Sequence, residues 1–182
     1  MALTEDQPIR RFGPDGVEAM PDPIIAEARI ELDINDGRYR LAMLCLPSDL
    51  EALAVGFLFG EGALRERDDL SVVEAQPDAG RVIIRGDFDE DVLEGITRRW
   101  TWGTGCGGGG TARDLDSSAY VPADPGPVVS AEDLHRLAKD FHSRAELWKR
   151  TGGVHACALA DIEGVAVFAE DVGRHNAFDK VM

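Results

Sequence analysis

The sequence has few cysteines, an excess of acidic over basic residues and no long apolar run, and each of these shortages argues against a class of protein. Three widely spaced cysteines in 182 residues argue against a disulfide framework and favour reduced thiols. The net charge of −15 argues against general binding to a nucleic-acid backbone. The longest apolar run, Ala52 to Phe59, is too short to span a membrane, and the first residues lack a signal-peptide pattern. We therefore predict a cytoplasmic protein without nucleic-acid or membrane partners.

Apolar residues in the first half of the chain predict strands and two helices. Residues 30–34 and 39–45 alternate apolar with polar around an Asn-Asp-Gly turn, which predicts a β-hairpin. Ser48 as N-cap, with Glu51 reaching back, predicts the start of a helix that ends near Gly60. Two more strands at 70–74 and 81–85 and a shorter helix at 90–100 follow. Residues 1–25 are polar and contain prolines, so we predict a flexible arm there.

The second half predicts a long helix, another hairpin and a final helix start. Ser130 caps a helix whose predicted buried stripe runs from Leu134 to Trp148. Strands at 155–161 and 165–169 precede a helix that starts at Gly173. The order of elements predicts a mixed α/β (α+β) fold, with residues 26–182 forming the main domain and lobes at about 26–120 and 126–182.

The strongest chemical signal is a glycine-rich loop around one thiol, with six glycines in residues 103–110. Glycine at this density has no use in a core, but it lets backbone amides turn toward an anion and lets a side chain move. A thiol acts as a thiolate, and converging amides or a nearby cation would lower its pKa from about 8.5. The pattern therefore favours Cys106 as a reactive residue over an incidental cysteine in a flexible loop. No Gly-Lys-Ser/Thr follows, which excludes a Walker-type phosphate loop.

Polar residues are concentrated where the last strand ends and a helix begins, from Glu170 to Lys180. α/β proteins place ligand-binding groups at such points, so Arg174 is a candidate for a phosphate or pterin clamp and His175 for proton transfer. Internal ion pairs at a solvated helix start are the alternative. His155, on a strand after two glycines, shares its predicted face with Cys157 and fits a hydrogen-bonded core residue at least as well as a ligand.

Metal binding has no support from spacing. The sequence lacks Cys-x-x-Cys and His-x-x-x-His, and it also lacks the motif pair of zinc deaminases. Cys45 lies in an apolar strand, where packing is the expected role. We therefore expect no structural metal.

From about Glu27 to the end, the chain resembles the FdhD family of accessory sulfurtransferases for formate dehydrogenase. Four blocks in matching order carry the resemblance: residues 49–61, the loop with Cys106, residues 151–156 and residues 170–180. The resemblance implies an FdhD-like fold whose C-terminal lobe is similar to cytidine deaminases without their zinc site. It also implies that a cysteine desulfurase loads a persulfide onto Cys106. That sulfur would pass to the bis-guanine-dinucleotide molybdenum cofactor, a bound substrate, before insertion into formate dehydrogenase.

On this basis Cys106 is the predicted sulfur-carrying residue. The predicted cofactor contacts are Gly105, Gly107, His155, Arg174, His175 and Asn176. Whether such a carrier counts as an enzyme, and whether it forms a homodimer, are left open by the sequence.

Two departures from the family pattern bear on this interpretation. Many members carry Cys-x-x-Cys in the loop, whereas the second position here is Gly109, so a disulfide within the loop is excluded. Family members also continue past the position that matches Met182, into a tail associated with cofactor binding. We therefore expect an incomplete C-terminal lobe in this form.

Two rival functions fit the same residues. One is a non-catalytic chaperone for the molybdenum cofactor, in which Cys106 is structural. The other is a cysteine hydrolase with Cys106 as nucleophile, His155 or His175 as base and Asp171 as the orienting group.

Overall fold

The first strands of the chain form a two-stranded antiparallel hairpin. The computed structural model describes residues 1–99 and 128–182. Strand β1 (Thr4–Gly13) pairs with β2 (Gly16–Ile25) along their whole length. We predicted a flexible arm here, and the structure instead has regular strands. The prolines that suggested an arm are compatible with strand pairing because of the register positions that they occupy.

All three prolines within the two strands of this hairpin occupy positions whose missing N–H costs no cross-strand bond. The amide of Ala26 donates to the carbonyl of Leu3 over 3.0 Å, which makes these two residues a hydrogen-bonded pair. Antiparallel pairs alternate between bonded and non-bonded types. Pro8 and Pro21 are register partners and form a non-bonded pair. Pro23 is paired with Asp6, which is also a non-bonded pair. The hairpin therefore keeps its ladder despite the prolines.

A four-stranded sheet forms the centre of the molecule. Its strands are β3 (Ala28–Ile34), β4 (Tyr39–Cys45), β5 (Leu70–Gln76) and β6 (Arg81–Gly86), in the order β4-β3-β6-β5. Neighbours are antiparallel except β3 and β6, which are parallel. All four strands were predicted from the sequence, β3 and β4 from alternation, and the structure confirms them.

Helices α1 (Leu50–Gly60) and α2 (Glu90–Arg99) cover one face of this sheet. The core side chains that are less than 2% exposed include Ile30, Leu32, Ile34, Leu53, Leu58, Ile84 and Leu93. Burial of each such side chain contributes about 1.5–3 kcal/mol. The predicted capping of α1 by Ser48 is wrong. The N-cap is Asp49 in a left-handed conformation (φ 50°), and Ser48 lies one residue too early.

The C-terminal part consists of a second hairpin with three helices around it. Its elements are α3 (Ala131–Arg144), α4 (Glu146–Thr151), β7 (His155–Ala160), β8 (Val165–Asp171) and α5 (Arg174–Asp179). Ser130 caps α3 by accepting a hydrogen bond from the amide of Asp133, as predicted. The prediction of a single long helix with a buried stripe is wrong. The chain breaks at Ala145 (ψ 68°), and Leu134 and Trp148 are 63% and 51% exposed.

Within residues 1–99 and 128–182, no helix is both long and apolar enough to cross a membrane.

Candidate functional site

The polar segment after β8 divides into a buried set and an exposed pair. Asp171, Asn176 and Lys180 are 0%, 3% and 5% exposed, whereas Arg174 and His175 are exposed. Asn176 and Lys180 are four residues apart and therefore share one side of α5. The segment that the sequence suggested as one binding surface is therefore half interior and half surface.

The carboxylate of Asp171 is the centre of the buried set. Its Oδ2 lies 2.8 Å from Nζ of Lys180 and accepts a hydrogen bond from the amide of Leu46 over 3.1 Å. Its Oδ1 accepts from the amide of Gly173 over 3.0 Å and from Nδ2 of Asn176 over 2.9 Å. A carboxylate offers about four acceptor positions, and these four donors occupy them. The charge is thus fully compensated in the interior.

Asn176 and Lys180 also bind the corner between β4 and α1. Nδ2 of Asn176 donates to the carbonyl of Leu44 over 2.9 Å. Nζ of Lys180 donates to the carbonyl of Leu46 over 3.3 Å and to the hydroxyl of Ser48 over 3.4 Å. These bonds join residues more than 130 positions apart in the chain. We call Asp171, Asn176 and Lys180 the corner network.

The corner network fixes the position of Arg174 and His175. A six-residue helix such as α5 is not stable alone in water, so its place depends on tertiary contacts. The network attaches α5 at both ends, through Gly173 before it and Lys180 after it. Arg174 and His175 consequently stand on the outer side of an anchored turn, where they can reach a ligand.

Glu170, next to Asp171, has a different structural task. Its carboxylate accepts hydrogen bonds from the amides of Leu147 and Trp148 over 3.1 and 2.9 Å. These amides belong to the first turn of α4, whose backbone donors have no partner within the helix. Glu170 therefore caps α4 from a neighbouring strand and is not available as a ligand group.

His155 lies at the same end of the β7–β8 hairpin as Arg174 and His175. Its register partner is Asp171, and Asp171 precedes Arg174 by three residues. The side chain of His155 is exposed. The structure thus brings His155, Arg174 and His175 to one region and buries Asn176 beneath it. Their roles as cofactor contacts stay predictions. Cys106, Gly105 and Gly107 lie outside the described residues.

The two described cysteines are poorly suited to thiolate chemistry. Burial raises the pKa of the Cys45 thiol to about 12, with a further increase from the negative charge of Asp171. Partial burial also raises the pKa of the Cys157 thiol. Nucleophilic sulfur chemistry requires the thiolate, so both groups are held in the unreactive form near neutral pH.

The geometry also argues against the cysteine hydrolase. That interpretation uses Asp171 to orient a histidine, yet its four acceptor positions are filled by Lys180, Asn176 and two backbone amides. No position remains for an imidazole N–H. Among residues 1–99 and 128–182, no group of three potential metal ligands is placed to hold an ion.

Asp179 is a second unusual acid at this end of the molecule. Burial raises the pKa of its carboxyl to about 7, with smaller contributions from Glu61 and Asp171. A Cβ built on Gly60 would lie 3.7 Å from its Oδ1, which places the carboxyl beside the C-terminal turn of α1. The partial negative charge of that helix end disfavours the carboxylate further.

We expect Asp179→Asn to stabilise the protein at pH 8 more than at pH 5. The folded state holds the Asp179 proton up to about pH 7, whereas the unfolded chain releases it near pH 3.9. Stability is therefore lost as pH rises between these values, and asparagine removes that loss. Thermal unfolding of both proteins from pH 5 to 8 measures the effect. Asp15→Asn, at an exposed turn, is the control, and an equal shift of Tm at both pH values would contradict the expectation.

Sequence reasoning missed three structural features of this site. It treated Asn176 and Glu170 as part of a polar surface, although both are used internally. It did not single out Gly56, where a Cβ would lie 1.8 Å from the carbonyl oxygen of Asp179. A glycine in the middle of an apolar helical run is the signal that could have found this contact.

The chain is similar in sequence to proteins that share one name. "Sulfur carrier protein FdhD" of Wolinella succinogenes is 34% identical over 176 residues, which cover 96% of this chain and 61% of that protein. The protein of the same name from Shouchella clausii is 31% identical over 178 residues, 95% of this chain and 66% of that protein. The chain thus spans less than two thirds of the length of these relatives.

A solved structure confirms the fold class. The crystal structure from Desulfotalea psychrophila, described as a formate dehydrogenase accessory protein, aligns with a TM-score of 0.69 at 22% identity. The alignment covers 98% of this chain and 66% of the other. The mixed α/β arrangement predicted from the order of elements is therefore correct, while the deaminase-like lobe stays a prediction.

The model of the FdhD/NarQ family matches residues 25–182. This range contains the sheet, the corner network and the exposed Arg174 and His175. The chain belongs to the FdhD/NarQ family.

Proposed function

We propose that the protein is a sulfur carrier that acts through Cys106. It receives sulfur from a cysteine desulfurase and passes it to the bis-guanine-dinucleotide molybdenum cofactor, which formate dehydrogenase requires. The observation that carries the proposal is the 34% identity, over 96% of this chain, to a protein named as a sulfur carrier. The identity extends through both halves of the molecule.

The distribution of thiols supports Cys106 as the carrier. Of the three cysteines, Cys45 is fully buried and Cys157 is partly buried, and the pKa of each thiol is raised. A sulfur carrier needs a thiol that can reach a partner enzyme and ionise near neutral pH. The glycine-rich sequence around Cys106 fits this need, and the surroundings of the other two do not.

The transfer itself is a thiol exchange. The Cys106 thiolate attacks the terminal sulfur of the desulfurase persulfide, a new S–S bond forms on Cys106, and the desulfurase cysteine leaves as a thiolate. The terminal sulfur is then available to the cofactor. One cysteine is sufficient for this exchange, so Gly109 in the second loop position is compatible with it.

The exposed side chains of Arg174 and His175 after β8 support a phosphate-bearing acceptor. A dinucleotide cofactor presents phosphates, which an arginine fork binds in bidentate geometry. Arg174 and His175 lie on the outer side of the anchored turn, and His155 is at the same end of the hairpin. We propose that these three side chains contact the cofactor.

We expect intact-protein mass spectrometry to detect sulfur on Cys106. After incubation with a cysteine desulfurase and cysteine, the wild type should gain the mass of one sulfur atom, which a reductant removes. Cys106→Ala should gain none, because it lacks the attacking thiolate. Cys157→Ala is the matched control and should load as the wild type does.

The alternative outcomes are decisive. Loading that persists in Cys106→Ala would move the carrier role to another thiol. A folded wild type that takes up no sulfur, together with a Cys106→Ala variant that still supports formate dehydrogenase activity in cells, would favour the cofactor chaperone.

A further inference from the structure

A cavity of about 400 Å³ lies between the corner that follows β4 and helix α4. Leu46 and Asp49 line it from the corner, Glu146 and Arg150 line it from α4, and Phe168 lines it from β8. Its volume is within the range of sites that bind small molecules. None of the described side chains proposed above as cofactor contacts is among its lining residues. It is therefore a separate feature, which we call the α4 cavity.

Two opposite charges line the α4 cavity without neutralising each other. Glu146 and Arg150 are four residues apart, so they are neighbours on one side of α4, in the order that favours an ion pair. Within residues 1–99 and 128–182, however, the carboxylate of Glu146 has neither an ion pair nor a hydrogen bond. The guanidinium of Arg150 donates there only to the hydroxyl of Thr4, over 3.3 Å. A carboxylate and a guanidinium are thus both free to bind a ligand in the cavity.

Asp49 contributes a third charge, from the other side of the cavity. An aspartate at an N-cap normally has an extended backbone, and its carboxylate accepts a hydrogen bond from the first turn of the helix. The backbone of Asp49 is left-handed instead (φ 50°), and its side chain caps nothing in α1. In the described part of the chain this exposed carboxylate has no ion pair either. It therefore has no structural partner and lines the cavity as a free anion.

We propose that the α4 cavity binds a free basic α-amino acid, for which L-lysine is the reference ligand. An arginine fork binds a carboxylate in bidentate geometry, so Arg150 receives the α-carboxylate. Glu146, its neighbour on the helix, receives the α-ammonium group. The two charges on adjacent atoms of the ligand thus match two charges that are adjacent on α4.

The remaining wall selects the side chain of the ligand. A lysine side chain has a flexible four-carbon stem, which can lie along Leu147 and Phe168 while its ammonium group reaches Asp49. A neutral amino acid would leave Asp49 without a counter-ion. An acidic one would bring a second carboxylate to a cavity whose other guanidinium, that of Arg144, is already paired with Asp140 over 2.9 Å. Two free carboxylates and one free guanidinium therefore complement a ligand with two cations and one anion.

Isothermal titration calorimetry with three matched ligands tests the proposal on the whole chain. L-Lysine should bind. L-Norleucine lacks the distal ammonium group and L-lysinamide lacks the carboxylate, so each loses one charge-assisted contact and should bind about tenfold more weakly. L-Lysine should also raise Tm in proportion to the logarithm of its concentration, because it binds the folded state.

Two variants assign the contacts. Asp49→Asn should weaken L-lysine about tenfold and leave L-norleucine unchanged, and asparagine tolerates the left-handed backbone well. Arg150→Gln should remove the preference for L-lysine over L-lysinamide. Asp15→Asn and Arg11→Gln, at exposed positions of the N-terminal hairpin, are the matched controls and should bind as the wild type does.

Three results would overturn the proposal. The first is a wild type that binds no L-lysine at millimolar concentrations. The second is equal affinity of the wild type for all three ligands, which would show that the charges do not select. The third is a folded Asp49→Asn or Arg150→Gln that keeps the affinities of the wild type. The comparison of ligands on the wild type does not require any variant to fold, and none of these results depends on sulfur loading of Cys106.

Discussion

Replacement of Lys180 by methionine is expected to lower the free energy of unfolding by about 3–5 kcal/mol, because it leaves a buried carboxylate without its counter-ion. The Lys180 and Asp171 side chains are both 0% exposed, and their charged atoms are 2.8 Å apart. The variant loses this pair and also the donors to Leu46 and Ser48. Urea unfolding followed by circular dichroism measures the difference.

The double variant Asp171→Asn, Lys180→Met separates charge from packing. If the unpaired carboxylate causes the loss, the double variant should be more stable than Lys180→Met alone. Lys139→Met, on an exposed face of α3, is the matched control and should change stability by less than about 0.5 kcal/mol. A loss below about 1 kcal/mol in Lys180→Met would show that the ion pair is not important for stability.

The second large effect is expected from Gly56→Ala in the middle of α1. A Cβ at Gly56 would lie 1.8 Å from the carbonyl oxygen and 2.6 Å from the carbonyl carbon of Asp179. The corner network holds α5 in place, and the apolar side of α1 is packed in the core. Neither helix can move without breaking these contacts. Alanine normally stabilises a helix interior by about 0.5–1 kcal/mol, but here overpacking should reverse the sign and destabilise by about 1–3 kcal/mol.

Gly60→Ala is the matched control in the same helix. Its Cβ would meet only Oδ1 of Asp179 at 3.7 Å, an ordinary contact. Thermal denaturation should therefore give a lower Tm for Gly56→Ala and a Tm close to the wild type for Gly60→Ala. Equal values for the two variants would mean that α5 yields easily at this contact.

The sheet and its helices could be predicted from the sequence because their signals are local. Alternation in 30–34 and 39–45 specified β3 and β4, and helical spacing after Pro47 specified α1. These patterns record which face of an element is buried. They are visible in the element's own sequence, whatever packs against that face. The N-terminal hairpin was missed because its side chains are mostly exposed, so pairing left no apolar alternation to recognise.

The candidate site was predictable only in outline. Its location after β8 followed from a polar run at a strand end. Which side chains face inward did not, because Asp171 and Lys180 are buried by residues more than 120 positions earlier in the chain. Long-range contacts of this kind leave no periodic trace in sequence. The glycine-rich segment with Cys106 lies outside the described residues; composition alone singled it out, and its proposed role comes from the family resemblance.

The prolines of the N-terminal hairpin have a consequence for solubility. Pro8 removes one outward donor near the middle of the β1 edge, and Pro21 and Pro23 remove two outward donors from the β2 edge. An added strand would need those donors, so the hairpin cannot readily template intermolecular β-sheet growth. An exposed two-stranded ribbon with all of its outward donors would offer such a template. The prolines keep both of its edges unsuitable for a growing fibril.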